Sequence, residues 1–328
     1  MAMTSDQPRI FITGATGFIG AAVINELAER GYHDITALVR EHADTRFLKS
    51  KGACLVIADI TDPSSLDRVL GSFDYVFHCA GLIDNDDTAG LEQINVCGTE
   101  NVARWAFNRS IRKFLYTSSV AVNEGNDSEI LTEGLAYHAL CPYGISKIEA
   151  EKNVVKYMRQ GFPAVIVRPC MVYGQGDPYC MPFLIRYIHQ PWACMPFWGR
   201  RRWHLVSVRN VAACLVSCME DNRALGQIFN IADSDILTVR EIMRILCEVF
   251  LLQSPFSVPG WFADLVKRIP VLKDTMQLPA NNHTYSIERI KDFLGFVPPY
   301  RSQGELKLAA EYFLEAQLTP KKGILNEK

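Results

Sequence analysis

Tyr143 and Lys147 carry the clearest chemical signal in the chain. They stand four residues apart in Tyr143-Gly144-Ile145-Ser146-Lys147, at the start of a stretch that reads as a helix. Both side chains therefore share one face, one turn apart. A tyrosine hydroxyl ordinarily titrates near pH ~10 and needs help to exchange a proton near neutrality. A lysine ammonium beside it favours the phenolate. The run Tyr116-Thr117-Ser118-Ser119 ends an apolar strand pattern, and either Ser118 or Ser119 can hydrogen-bond a substrate oxygen. Ser, Tyr and Lys together can give a proton to a carbonyl oxygen while a hydride reaches its carbon. Tyr-x-x-x-Lys alone occurs in many helices, so its meaning depends on the elements that carry it.

A second motif opens the chain. Thr13-Gly14-Ala15-Thr16-Gly17-Phe18-Ile19-Gly20 follows an apolar strand pattern directly and starts a helical one. The glycines permit a tight turn, close backbone approach to a pyrophosphate and close helix–strand packing. The helix start supplies free N–H groups and the positive end of its dipole. This chemistry suits a dinucleotide. The second strand ends Ala37-Leu38-Val39-Arg40, without the acid that commonly takes a ribose 2′-hydroxyl. Arg40 can pair with a 2′-phosphate, which favours NADP, with NAD the alternative; otherwise it is a solvated arginine balanced by Glu41. Asp59 and Ile60 end the third strand, where Asp59 either touches the adenine edge or caps the next turn. Ala80 and Gly81 end the fourth, where small residues admit a cofactor.

The elements that must position these residues alternate. Strands are expected at Arg9–Thr13, Asp34–Arg40, Cys54–Ile60, Tyr75–Ala80, Lys113–Ser118 and Ala164–Arg168. Helices are expected at Phe18–Arg30, after Pro63, at Leu91–Asn108 and at Pro142–Gln160. Near-continuous apolar strands alternating with helices predict an α/β fold, a Rossmann-type doubly wound parallel sheet. Beyond Gly174 the rhythm changes. Pro, Trp, Phe and Met cluster between Pro178 and Trp203. Helices are expected at Ser207–Met219, Thr238–Phe250, Pro259–Arg268, Ser286–Phe293 and Gly304–Ala316, with a strand at Gln227–Ala232. This predicts a dinucleotide-binding domain over 1–178, to which 204–235 returns. A smaller, mostly helical substrate-binding domain over 179–328 would pack at the sheet's C-terminal edge.

Composition narrows the partners. The 328 residues include 34 Lys+Arg against 36 Asp+Glu, a net charge of −2, so no basic excess points to nucleic acid. At 48% hydrophobic and 21% charged, the chain is expected to fold throughout. The ten cysteines lack metal-ligand spacing and read as buried thiols of a reducing compartment, with no metal expected. No signal peptide or membrane span is expected, and the location expected is cytoplasmic. The high mean hydropathy of +0.03 leaves room for an apolar pocket.

Taken together these segments resemble the extended short-chain dehydrogenase/reductase superfamily. The matching pieces are TGATGFIG (13–20), DI (59–60), HCAG (78–81), NVCGT (95–99), YTSSVAV (116–122), YGISK (143–147) and RPCMVYG (168–174). Weaker matches at VSVRNVA (206–212), FNIAD (229–233) and LGFVP (294–298) extend it over nearly the whole chain. The resemblance implies that Tyr143 is the proton donor or acceptor. It implies that Lys147 binds the nicotinamide ribose and lowers the tyrosine's pKa. It favours Ser119 over Ser118, and implies that Pro169 to Val172 approach the nicotinamide amide. Asn95 is expected to be structural. By analogy, a homodimer through Leu91–Asn108 and Pro142–Gln160 is expected.

Two branches of the superfamily compete. Enzymes acting on nucleotide sugars carry an Arg-Asp-aromatic-x-His-Val-x-Asp segment, but here Trp203 and His204 stand at its Arg and Asp positions. Arg200, Arg201 and Arg202 precede it, either as a surface loop or as an anion site. The other branch, which includes 3β-hydroxysteroid dehydrogenase-like and dihydroflavonol reductase-like enzymes, is similar at Leu-Val-Arg, 38–40. Met181, Phe183, Trp192, Phe197, Trp198 and Trp203 are either the lining of an apolar pocket or the core of the small domain. The expected activity is an NAD(P)-dependent oxidoreductase acting on a carbonyl/alcohol pair of a fairly apolar small molecule. The alternative is a nucleotide-sugar epimerase or dehydratase with tightly bound NAD.

Overall fold

A computed structural model describes residues 7–261 and 284–318. Two compact units divide the chain. The first comprises Met1–Cys170, Val208–Ala232 and Tyr285–Pro299; the second comprises Met171–Ser207, Asp233–Thr284 and Tyr300–Lys328.

The first unit is a seven-stranded parallel sheet. Its strands are β1 (Ile10–Thr13), β2 (Ile35–Val39), β3 (Cys54–Ile57), β4 (Tyr75–His78), β5 (Lys113–Thr117), β6 (Ala164–Pro169) and β7 (Ile228–Ile231). They run in the order β7-β6-β5-β4-β1-β2-β3. The chain reverses direction across the sheet between β1 and β4, the place where dinucleotides bind in such sheets. Strands β1, β5 and β6 are buried along their whole length, as their apolar runs require. The edge strand β3 is exposed at both ends.

Helix α1 (Phe18–Glu29) follows β1 and stops before Gly31, whose φ of +85° an L side chain rarely adopts. Helix α2 (Gly98–Phe107) is preceded by a π-helical run, Leu91–Cys97, and a short turn of helix, Thr88–Gly90. The sequence pattern predicts one regular helix there; the π-helical run, with its wider i→i+5 bonding, departs from it. Helix α3 (Pro142–Met158) carries Tyr143 and Lys147. Helix α4 (Val208–Glu220) packs on α1. At its C-terminus, Lys113 Nζ donates to the carbonyls of Cys218, Met219 and Asp221 at 2.8–2.9 Å. A buried ammonium thus satisfies carbonyls that the helix leaves without partners.

The second unit is built on helices Cys180–Ile188, Val239–Phe250 and Ser302–Leu318 and on strands of two or three residues. Strand Met171–Tyr173 lies parallel to Leu205–Ser207. Strands this short carry no readable alternation, and none was expected from the sequence. Met181 and Trp203 belong to this unit's core, and Phe183 packs against it. Trp192 and Trp198 are exposed. The aromatic cluster is therefore core at some positions and surface at others. Asp233, fully buried, accepts from Tyr173 Oη (2.8 Å), Ser302 Oγ (2.9 Å) and the Ser207 N–H (2.9 Å), tying three segments together.

The helix expected at Pro259–Arg268 lies mostly outside the described residues. All ten cysteines are free, and Cys54 and Cys97 are exposed rather than buried. Cys54 begins the sheet's edge strand, which pairs on one side only among the described residues.

Candidate active site

The glycine-rich turn sits between β1 and α1. Gly14 has φ +70°, and a Cβ there would lie 2.5 Å from the Ala80 backbone nitrogen. The turn therefore rests directly on the end of β4. The Gly17 N–H donates to Gly14 O at 2.9 Å, and Gly17 is the N-cap of α1, with no side chain capping the helix. Thr16 and Gly17 are exposed, Phe18 and Ile19 half-buried, Gly20 buried. The result is a bare helix start beside an open turn, which fits a pyrophosphate. Thr13 Oγ1 lies 2.6 Å from His78 Nδ1, and His78 Nε2 lies 2.9 Å from Thr99 Oγ1. Complete burial, with Lys147 nearby, pushes the His78 pKa down to about 3, so the ring stays neutral and bridges β1 to α2.

Around this turn the other candidate cofactor residues fall as follows. Arg40 is exposed just past β2, in a turn where His42 has φ +64°. Asp59 Oδ1 accepts from the Thr61 N–H and Thr61 Oγ1, both at 2.8 Å, so its carboxylate shapes the following turn. Ile60 is buried, and its carbonyl accepts from Asn101 Nδ2 at 3.0 Å. Ala80 is half-buried and Gly81 exposed at the end of β4. Pro169 ends β6 in the first unit, and Val172 lies on the Met171–Tyr173 strand of the second.

Tyr143 stands in the first turn of α3, half-buried, with Pro142 ahead of it and Cys141 as N-cap. Its N–H donates to Asn85 Oδ1 at 3.0 Å. Gly144 decides how close this helix start comes to the turn after β5. A Cβ there would lie 2.7 Å from Ala121 O and 2.8 Å from Ala139 Cβ. That contact brings Tyr143 to the turn Val120–Val122, whose N-cap is Ser119. Ser119 Oγ is half-buried and accepts from the Ala121 N–H at 3.2 Å. Ser118 is buried, and its Oγ has no hydrogen-bond partner among the described residues.

Lys147 is buried, and its Nζ donates to Thr117 O at 3.0 Å. The ammonium lies 5.2 Å from the centre of the Tyr116 ring. Burial pushes its pKa down to about 8, against the opposing pull of Glu151 and Cys79. Burial likewise raises the Cys79 thiol to about 11, so it remains protonated. Asn95, also buried, receives the Leu82 N–H (2.8 Å) and donates to Leu82 O and Ser146 Oγ (both 2.9 Å). It locks the loop after β4 to α3.

One part of this arrangement escaped the sequence reading. Arg168 and Glu151 form a buried, doubly hydrogen-bonded ion pair, at 2.8 and 2.6 Å. Tyr137 Oη also donates to Glu151 Oε2, at 2.9 Å. A signal existed: Glu151 lies four residues beyond Lys147, and Arg168 is a lone charge in an apolar strand.

The sequence pattern of the NAD dependent epimerase/dehydratase family matches residues 10–232, which hold the glycine turn and all three candidate catalytic side chains. The chain belongs to this family. Its relatives there include both epimerases and reductases of the extended short-chain dehydrogenase/reductase type. It is similar to a UDP-glucose 4-epimerase of Vibrio cholerae, 28% identical over 94% of this chain and 96% of that one. It is also similar to a putative dihydroflavonol 4-reductase of Synechocystis, 30% identical over 62% of this chain and 60% of the other. Cinnamoyl-CoA reductase 1 of rice is 26% identical over 93% of this chain and 91% of its own. Among solved structures, the fold matches that of a Thermotoga maritima UDP-glucose 4-epimerase with a TM-score of 0.76. That match is 22% identical and covers 94% and 99% of the two chains.

Proposed function

We propose that the protein is an NADP-dependent reductase or dehydrogenase acting on the carbonyl/alcohol pair of a fairly apolar small molecule. The end of β2 carries this reading: Arg40 is exposed there, and the strand end bears no acid. A guanidinium suits a 2′-phosphate, whereas an acid would suit the free ribose hydroxyl. A family member that uses NADP and exchanges it each turnover performs a net oxidation or reduction.

In this mechanism Tyr143 gives its proton to the carbonyl oxygen during reduction and recovers one from the alcohol during oxidation. Lys147 stabilises the phenolate that remains. One of its three N–H bonds goes to Thr117 O, which leaves two for the cofactor ribose and the tyrosine side. Ser119 already accepts a backbone N–H, so its own hydroxyl proton is available to the substrate oxygen. When bound, the nicotinamide supplies or accepts the hydride. The residues of the first unit that would hold the cofactor are Gly14, Thr16 to Gly20, Arg40, Ala80, Gly81, Lys147 and Pro169. Trp192 and Trp198 are among the aromatic side chains exposed in the second unit, where they would suit an apolar ligand.

A second reading, a nucleotide-sugar epimerase with retained NAD, is favoured by the near-full-length similarity to the V. cholerae protein. Against it, the position where that branch carries its diphosphate-binding arginine is Trp203, which is buried in the core of its unit.

Replacing Tyr143 with Phe tests the chemistry common to both readings. Turnover is expected to fall by about 10²–10⁴-fold while NADPH affinity stays near that of the unaltered protein. Undiminished turnover would remove Tyr143 from the mechanism.

A further inference from the structure

Glu151 and Arg168 form a buried charged pair on the helix that carries Lys147 and the strand beside it. Glu151 stands one turn of α3 beyond Lys147, on the same face. Both the Glu151 carboxylate and the Arg168 guanidinium are essentially sealed from solvent, at 0% and 2% exposure. Glu151 accepts two hydrogen bonds from Arg168 and one from Tyr137. Arg168 also donates to Glu133 O, at 3.4 Å, and Glu133 Oε1 accepts the Asn230 N–H, at 2.8 Å. This one pair thus joins the helix of Tyr143 and Lys147, the loop leading into that helix, and the end of β6 beside Pro169.

Such a pair is costly to bury, and apolar residues of like size often serve stability as well or better. Stability alone therefore gives little reason for it. Its place beside Lys147 gives another. Lys147 faces His78 and Cys79 from β4, the Tyr116 ring from β5, and Tyr143 and Glu151 from its own helix, with Arg168 of β6 and Tyr137 behind Glu151. His78 is neutral and the Cys79 thiol is protonated near pH 7, so Glu151 is the carboxylate acting on the ammonium.

We propose that Glu151, clamped by Arg168 and Tyr137, is a positioning residue that keeps Lys147 in its ammonium form and fixes α3 against the end of β6. The proposal rests on the assignment of Tyr143 and Lys147 as the proton-transfer pair. Glu151 touches neither substrate nor cofactor in this role and acts through Lys147.

The test reads Lys147 directly. In protein labelled with ¹³C at lysine Cε, the Lys147 signal is assigned by its loss in Lys147→Arg and titrated without cofactor or substrate. In Glu151→Gln the Lys147 midpoint is expected to fall by about 1 pH unit or more, because an opposing charge is lost. The alkaline limb of turnover is expected to move with it. An unchanged midpoint overturns the proposal. Glu151→Gln strands a buried arginine and can prevent folding, so Glu151→Gln/Arg168→Met removes both charges together. Here too the midpoint falls if the proposal holds, and a folded double variant with the original midpoint refutes it. Undiminished turnover in Tyr143→Phe would instead defeat the underlying assignment, and the midpoint shift is measured independently of turnover.

Discussion

Replacing Lys147 with Met should make the protein more stable at pH 7 while abolishing its activity. Burial holds the Lys147 pKa at about 8, against 10.5 for an ordinary lysine. A difference of this size means that keeping the ammonium charged in the folded state costs about 3 kcal/mol at neutral pH. Methionine fills a similar volume without charge. It forfeits the hydrogen bond to Thr117 O and the ring contact with Tyr116, about 1–2 kcal/mol together. The net expectation is a gain of about 1–2 kcal/mol, or roughly 2–3 °C in Tm for a chain of this length. The sign depends on pH in a defined window. Below about pH 8 the folded and unfolded chains both hold the lysine proton, and the full cost is present. Between about 8 and 10.5 the unfolded chain binds the proton and the folded chain does not, so wild-type stability from this group rises with pH. The Met variant lacks that rise. Thermal or urea unfolding at a neutral and an alkaline pH within reach of this window should show its advantage shrinking as pH increases. A Met variant less stable at pH 7, by an amount independent of pH, would refute the reasoning.

Two further outcomes follow from the same structure. Arg40→Asp should weaken NADPH binding by roughly 10–100-fold, the loss of a charge-assisted contact, with little effect on NADH; equal losses for both, by calorimetry, would take Arg40 away from the 2′-phosphate. Lys113→Met should lower Tm by roughly 3–6 °C, since three carbonyls of the α4 terminus lose a buried donor and recover only the ammonium's desolvation cost, about 2–4 kcal/mol net.

The sequence made the first unit legible because its signals are long or doubly specified. Each sheet strand is a run of apolar residues, and the glycine turn is fixed by both its composition and its place after β1. Tyr143 and Lys147 could be paired because helix geometry alone puts them on one face. What stayed hidden depends on partners far apart in the chain. Arg168 and Glu151 each stand out locally as charges at apolar or buried-face positions, but that they meet, or that Lys113 caps a helix ending more than a hundred residues later, depends on the folded chain. Asp59 had two roles open to it, and its bonds to Thr61 now account for one of its carboxylate oxygens. In the second unit, two- and three-residue strands leave no periodicity. Aromatic residues there divide between core and surface by register: Trp203 is buried on a short strand, whereas Trp198 is exposed in a turn with φ +58°.

A cofactor that exchanges at each turnover separates a net reductase from an epimerase. Purifying the protein without added nucleotide, denaturing it and identifying what is released tests this most directly. Little nucleotide, or substoichiometric NADP(H), is expected. Near-stoichiometric NAD would contradict both the NADP assignment and the net reductase, and would favour an epimerase or dehydratase.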